Sequence, residues 1–122
     1  MTIDRSLDSL DPRFYLKAIE FLARLTEAKI YVMVIETGRT WKRQEHLLEM
    51  GASQTKRSKH LSGEAIDLAP ILQYKNGRVL QLEWSADAQL YKRMGEIASQ
   101  IGGIRWGGDF KSFKDLVHFE LE

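Results

Sequence analysis

The sequence predicts an α+β fold: a small, largely antiparallel sheet flanked by about three helices. Segments of helical and strand periodicity are mixed without the regular alternation that builds parallel sheets. The pair Asn76-Gly77, the dipeptide best suited to a tight hairpin turn, separates two strand-like runs. The helical stretches come with residues suited to starting and stopping them.

Asp11 followed by Pro12 has the form of a helix N-cap with proline in the first turn. Phe14, Ala18, Phe21, Leu22 and Leu25 then recur at helical spacing up to about Ala28. Ile30 to Ile35 is short, β-branched and bounded by turn residues, which predicts a buried strand ending at Thr37-Gly38-Arg39. Thr40 caps a second helix from Trp41 to about Met50, and Gly51 supplies the left-handed residue that stops it. Residues 51–62 read as a polar loop. From Glu64 to Ala69 the chain alternates, with Ile66 and Leu68 on one face and Ala65, Asp67 and Ala69 on the other. A hairpin follows, Ile71 to Tyr74 and Arg78 to Leu80. Ser85 caps a third helix with the core stripe Leu90, Met94, Ile97 and Ile101, and Gly102-Gly103 ends it. The chain closes with a strand at Ile104 to Trp106, a glycine-containing loop and a last strand from about Leu116 to Leu121.

A chain of 122 residues without a Pro/Gly/Ser-rich linker, a repeat or a low-complexity segment has the size of one domain. A core of this size needs no metal or disulfide as a staple, so a metal here is free to be catalytic. With 18 basic and 17 acidic residues and no polybasic run, nucleic acid is not an expected partner. No apolar stretch reaches the roughly 20 residues of a membrane span, so membrane insertion is not expected. Met1 to Arg5 lacks the basic start and apolar core of a secretory signal, leaving cytoplasmic synthesis or a trimmed signal as the two readings. The absence of cysteine removes thiolate ligands, so any zinc must be held by histidine and carboxylate.

The segment Ser58-Lys59-His60-Leu61-Ser62-Gly63-Glu64-Ala65-Ile66-Asp67 sets a histidine before a glycine turn and an aspartate on the strand behind it. Gly63 lets the backbone fold back and bring His60 and Asp67 to one point. In the last strand Val117, Phe119 and Leu121 share one face, and His118 and Glu120 the other. His60, Asp67 and His118 make two imidazoles and one carboxylate, a set that leaves the fourth position of zinc to water. Single histidines are commonly ordinary surface or core residues; the joint pattern, with Asp115 three residues before His118, points to a metal. Zinc lowers the pKa of its water from about 15.7 to about 7. Asp115 is the choice for the base that takes the proton and passes it to the leaving amine.

These motifs resemble the zinc D,D-carboxypeptidases of the VanY type and the related L-alanyl-D-glutamate endopeptidases of phage endolysins. The family pattern Ser-x-His-x-x-Gly-x-Ala-x-Asp is met by Ser58, His60, Gly63, Ala65 and Asp67, and its terminal Asp-x-x-His by Asp115 and His118. Upstream, Thr37-Gly38-Arg39-Thr40 and Gln44 are similar to the family's Gly-x-Arg-[Ser/Thr] and following glutamine, with the glycine directly before the arginine. The resemblance implies a hedgehog/D,D-peptidase-like fold, zinc on His60, Asp67 and His118, Asp115 as acid/base, and Arg39 orienting substrate or stabilising the oxyanion. A guanidinium suits either task, as a planar fork for a carboxylate or as a fixed charge. Ser58 and Gln44 are candidate substrate contacts that could equally bond their own loops. Trp106, before Gly107-Gly108-Asp109, is a candidate cleft wall or a core residue. Glu120 could orient a ligand imidazole, and His46, among charged residues of the second helix, reads as surface.

Residues 1–122 are expected to form a single zinc peptidase domain with no separate cell-wall-binding domain, and a monomer is expected; the resemblance implies that it hydrolyses the L-Ala-D-Glu bond of the peptidoglycan stem peptide. The minimal size and missing signal suit a phage or prophage endolysin, made in the host cytoplasm and reaching the wall once the membrane is opened. A D-alanyl-D-alanine carboxypeptidase or dipeptidase is the alternative, and a non-catalytic zinc-containing binding module of the same fold is another.

Overall fold

The computed structural model describes residues 2–53, 55, 57–84 and 89–122. Helices α1 (Pro12–Glu27), α2 (Trp41–Glu49) and α3 (Gln89–Ile101) surround strands β1 (Val32–Glu36), β2 (Ala65–Lys75), β3 (Arg78–Leu82), β4 (Ile104–Trp106) and β5 (His118–Leu121). The strands form one sheet in the order β1-β2-β5-β4, with β3 paired to β2, and every pairing is antiparallel.

The helix starts follow their caps. Asp11 accepts from the Arg13 amide, with Pro12 opening α1, and Thr40 accepts from the Arg43 amide to open α2. Ser85, read as the cap of α3, lies outside the described residues. Asn76 and Gly77 both take positive φ, 53° and 78°, as the hairpin turn between β2 and β3 requires.

Phe14, Ala18, Phe21 and Leu25 of α1 meet Tyr91, Met94 and Ala98 of α3 over Ile66, Leu68, Phe119 and Trp106 of the sheet. Phe21 and Phe119 meet edge-on, with ring centroids 4.8 Å apart. That face is apolar because Ile66 pairs with Phe119, which pairs with Trp106, across three strands. The neighbouring rungs point their side chains the other way, and the functional candidates stand there.

Three expectations change. The strand read as buried is half-buried, because β1 is the edge of the sheet and pairs only with β2. The expected strand at Glu64 to Ala69 and the first hairpin arm are one strand, β2. The buried stripe of α3 is Tyr91, Met94, Gly95 and Ala98, while Ile97 and Ile101 pack at its margin. Gly95 lies against the Trp106 indole, which rotates the helix toward its smallest residue. The polar loop of 51–62 contains one short 3₁₀ turn, Lys59–Ser62. Among the described residues, no helix is long and apolar enough to cross a membrane.

Candidate metal centre

Asp67 of β2 lies opposite His118 of β5 in register, and Glu36 of β1 lies opposite Asp67 on its other side. A register shift between Val34 and Glu36 makes that last pairing possible. His60 arrives from the 3₁₀ turn, whose cap Ser58 accepts from the His60 amide. Gly63 ends that turn at φ 72°, and a Cβ there would lie 2.7 Å from the Asp11 nitrogen and the Ser9 carbonyl oxygen. Only glycine both turns the chain left-handed and fits against that backbone.

The side chains of His60, Asp67 and His118 are buried, and their candidate ligand atoms all lie within 4.8 Å of one another. His60 Nε2 is 3.0 Å and His118 Nδ1 3.2 Å from the same oxygen, Asp67 Oδ1. The far nitrogens are committed elsewhere: His60 Nδ1 lies 2.7 Å from the Thr37 carbonyl oxygen, and His118 Nε2 lies 2.7 Å from Glu120 Oε1. Both acceptors require the far nitrogens to carry hydrogen, so in the neutral rings the near nitrogens turn lone pairs toward Asp67. That arrangement calls for a cation between them, and its imidazole and carboxylate donors suit zinc. Zinc bonds of about 2.0–2.1 Å put tetrahedral ligand atoms roughly 3.3–3.5 Å apart, close to the 3.0 and 3.2 Å that separate the two imidazole nitrogens from Asp67 Oδ1.

The protein's own charges prepare the same point. Burial opposes ionisation of Asp67, but His60 and His118 outweigh it and hold the carboxyl well below its usual range. Burial likewise opposes charge on His118, and the bonds to Asp67 and Glu120 overcome it, raising the imidazole to about 9. Glu120 is itself held below the usual carboxylate range: burial opposes its charge, and His118 more than offsets this. Asp115 moves the other way, raised chiefly by burial and then by the Asp67 charge. It sits in the same cleft because its amide donates to the Gly107 carbonyl at 3.1 Å and its carbonyl accepts from the His118 amide at 3.2 Å.

The cleft encloses about 580 Å³, and the metal candidates and Asp115 share its lining with Arg39, Arg43, Phe110 and Phe113. Arg39 does not present an open fork. Its Nε and Nη2 donate to Glu36 at 3.1 and 2.7 Å, and its Nη1 donates to Gln44 Oε1 at 2.9 Å and Ser58 Oγ at 3.4 Å. Arg43 grips the same carboxylate through Nε and Nη2 at 2.6 and 3.1 Å. Burial opposes the charge of Glu36, and the two guanidinia outweigh it, leaving its carboxyl below the usual range.

For two candidates the structural alternative holds. Gln44 is fully buried and does not line the cleft; its amide nitrogen donates to Ser53 Oγ and to the Thr55 carbonyl, tying the loop to Arg39. Trp106 is core rather than cleft wall, and its indole N–H donates 2.8 Å to the Leu116 carbonyl. Ser58 does line the cleft, Glu120 bonds His118, and His46 is exposed. Sequence reasoning missed Glu36 and Arg43. The available signal was spacing: Glu36 lies three residues before Arg39, and Arg43 is one turn into the helix that Thr40 caps.

The family model described as D-alanyl-D-alanine carboxypeptidase matches residues 51–121. The chain is 33% identical over 92 residues to the L-alanyl-D-glutamate peptidase of Listeria phage A118, covering 75% of this chain and 31% of that protein. It is 32% identical over 105 residues to the peptidoglycan L-alanyl-D-glutamate endopeptidase CwlK of Bacillus subtilis strain 168, covering 75% of this chain and 61% of that one. The chain thus spans less than two thirds of the length of either curated relative. Among solved structures, the L-Ala D-Glu endopeptidase ChiX of Serratia marcescens superposes with a TM-score of 0.73 at 27% identity, over 95% of this chain and 83% of that one. The vancomycin-resistance D,D-pentapeptidase VanY in complex with Zn(II) shares the fold, with a TM-score of 0.62 at 14% identity over 92% and 72% of the two chains.

Proposed function

Since the chain belongs to the peptidase family described as D-alanyl-D-alanine carboxypeptidase, we propose that it is a zinc-dependent peptidoglycan peptidase cutting the stem peptide between L-Ala and D-Glu. The observation that carries this reading is the convergence of His60 Nε2 and His118 Nδ1 on Asp67 Oδ1 in a cleft shared with Asp115. The choice of bond follows the names of the two curated relatives and of ChiX. The substrate is the stem peptide of the bacterial wall, on which the protein acts as a monomer.

His60, Asp67 and His118 would hold the metal, and Thr37 and Glu120 fix which nitrogen each ring offers. Bound there, zinc supplies Lewis acidity and a water acidified from about 15.7 to about 7. Asp115, a carboxyl raised by burial, takes a proton from the attacking water and returns it to the leaving amine. Arg39 keeps one Nη2 hydrogen outside its bonds to Glu36, Gln44 and Ser58. A single rigid donor suits an oxyanion better than it suits a carboxylate.

A D-alanyl-D-alanine carboxypeptidase is the second reading, favoured by the description of the family model. Mass spectrometry of digested muropeptides separates the two. New N-terminal D-Glu with the terminal D-Ala retained is expected; released D-Ala with the L-Ala-D-Glu bond intact would replace the first reading by the second.

A further inference from the structure

Arg39 and Arg43 share one carboxylate but are left with different edges. A guanidinium has five N–H donors, and its Nη1 and Nη2 groups together form the end-on fork that matches a carboxylate. Arg39 spends both Nη1 hydrogens on Gln44 and Ser58, so its end-on fork is closed. Arg43 uses Nε and one Nη2 hydrogen on Glu36, and among the described residues neither Nη1 hydrogen has an acceptor. Its end-on fork is open.

That side chain is 15% exposed and lines the cleft that holds His60, Asp67, His118 and Asp115. Its charge lies close enough to the centre for Asp67 to act on it electrostatically. Glu36 holds the guanidinium from one edge, so the free edge is oriented before any ligand arrives. Lys59, another cation of the cleft, bonds the Leu121 carbonyl and lies 3.7 Å from Glu120.

We propose that Arg43 binds, through its open Nη1–Nη2 edge, the free carboxylate of the substrate's D-Glu residue. This rests on the L-Ala-D-Glu reading above. When the amine of D-Glu is bonded to L-Ala and one of its two carboxyls continues the chain, the other carboxyl remains as an anion beside the scissile bond. Amidation of that carboxyl removes the charge and exchanges one of its two acceptor oxygens for an NH2 donor, so the fork loses one of its two acceptors. The preferred substrate class is therefore the unamidated stem peptide, and Arg43 is its specificity residue.

The test measures kcat/KM of the zinc-loaded protein on two otherwise identical muropeptides, one with D-Glu and one with D-isoglutamine. Wild type should prefer D-Glu by about tenfold or more, the size of a charge-assisted hydrogen-bonded pair. Arg43→Gln also removes a partner of Glu36 and can slow both peptides alike, so the readout is the ratio: the D-Glu to D-isoglutamine ratio of kcat/KM should fall toward one, mainly through KM on the D-Glu peptide. Arg43→Lys, which keeps the charge but not the fork, should retain part of it. Equal cutting of both peptides by wild type, or an undiminished preference in Arg43→Gln, overturns the inference while leaving the peptidase reading intact. Arg57 is an exposed cation lining the same cleft, and loss of the preference in Arg57→Gln alone would likewise overturn the inference by moving the contact there. Failure of wild type to cut either peptide at the L-Ala-D-Glu bond sinks the functional reading and the inference with it.

Discussion

His60 Nδ1 lies 2.7 Å from the carbonyl oxygen of Thr37, and that backbone acceptor decides which nitrogen of the ring faces Asp67. A carbonyl cannot donate, so Nδ1 must carry the hydrogen and Nε2 becomes the ligand. His118 is set in the opposite sense by Glu120. Long-range ¹⁵N–¹H correlation spectra of the zinc-loaded protein should therefore show His60 protonated at Nδ1 and His118 protonated at Nε2. The reverse assignment at either ring would break the proposed ligand geometry.

Asp115 tests the chemistry separately from the metal. Asp115→Asn leaves His60, Asp67 and His118 in place and should keep zinc binding, while kcat falls by about 10²–10⁴, the range for losing a general acid/base. Equal zinc content with wild-type turnover would exclude Asp115 from the reaction. A wild type that binds zinc and cuts neither candidate bond would favour the non-catalytic binding module.

Glu36 is the keystone of the arginine wall, 4% exposed at its side chain and bonded to both Arg39 and Arg43. Replacing it with Gln leaves two guanidinia with half their partner and should lower stability by about 3 kcal/mol in urea unfolding, the lower range for breaking a buried pair. A loss under ~0.5 kcal/mol would mean that solvent screens this cluster as it does a surface pair.

The same carboxylate sets an acid limit. Its folded pKa is depressed, so its contribution is fully present above the ordinary glutamate value of about 4.3 and is lost as pH falls through the lower folded value. Thermal unfolding followed from pH 6 to pH 2 should show wild type losing stability in that window. Glu36→Gln should show a shallower decline, and parallel curves would contradict the linkage.

Gly107 is a packing requirement of the site. A Cβ there would lie 2.2 Å from the Asp115 carbonyl oxygen and 3.1 Å from His118 Cβ. Gly107→Ala should cost about 1–3 kcal/mol from overpacking and weaken zinc binding, read by competition with a chelator. Unchanged stability and affinity would show that the loop yields freely.

The elements that the sequence makes legible are those with local causes. Asp11-Pro12, Thr40 and Asn76-Gly77 determine their helix starts and hairpin from neighbouring residues alone, and the alternation around Asp67 and His118 places both on one face. Interactions made across the fold were less legible. The edge position of β1 depends on which strands pair, and the rotation of α3 depends on Trp106 arriving 11 residues beyond Gly95. Arg39 was legible as a charge but not as a donor already committed, because Glu36, Gln44 and Ser58 reach it from a strand, a helix and a loop. Gln44 and Trp106 carry side chains suited to binding, yet the fold uses them as a tether and as core.

The most direct test of the zinc peptidase reading is metal content measured together with cleavage, before chelation, after it and after zinc return. Stoichiometric zinc, loss of L-Ala-D-Glu cleavage with the metal and recovery when zinc is restored are expected, with His60→Ala deficient in both. A protein free of zinc that cuts the stem peptide undiminished would contradict that reading.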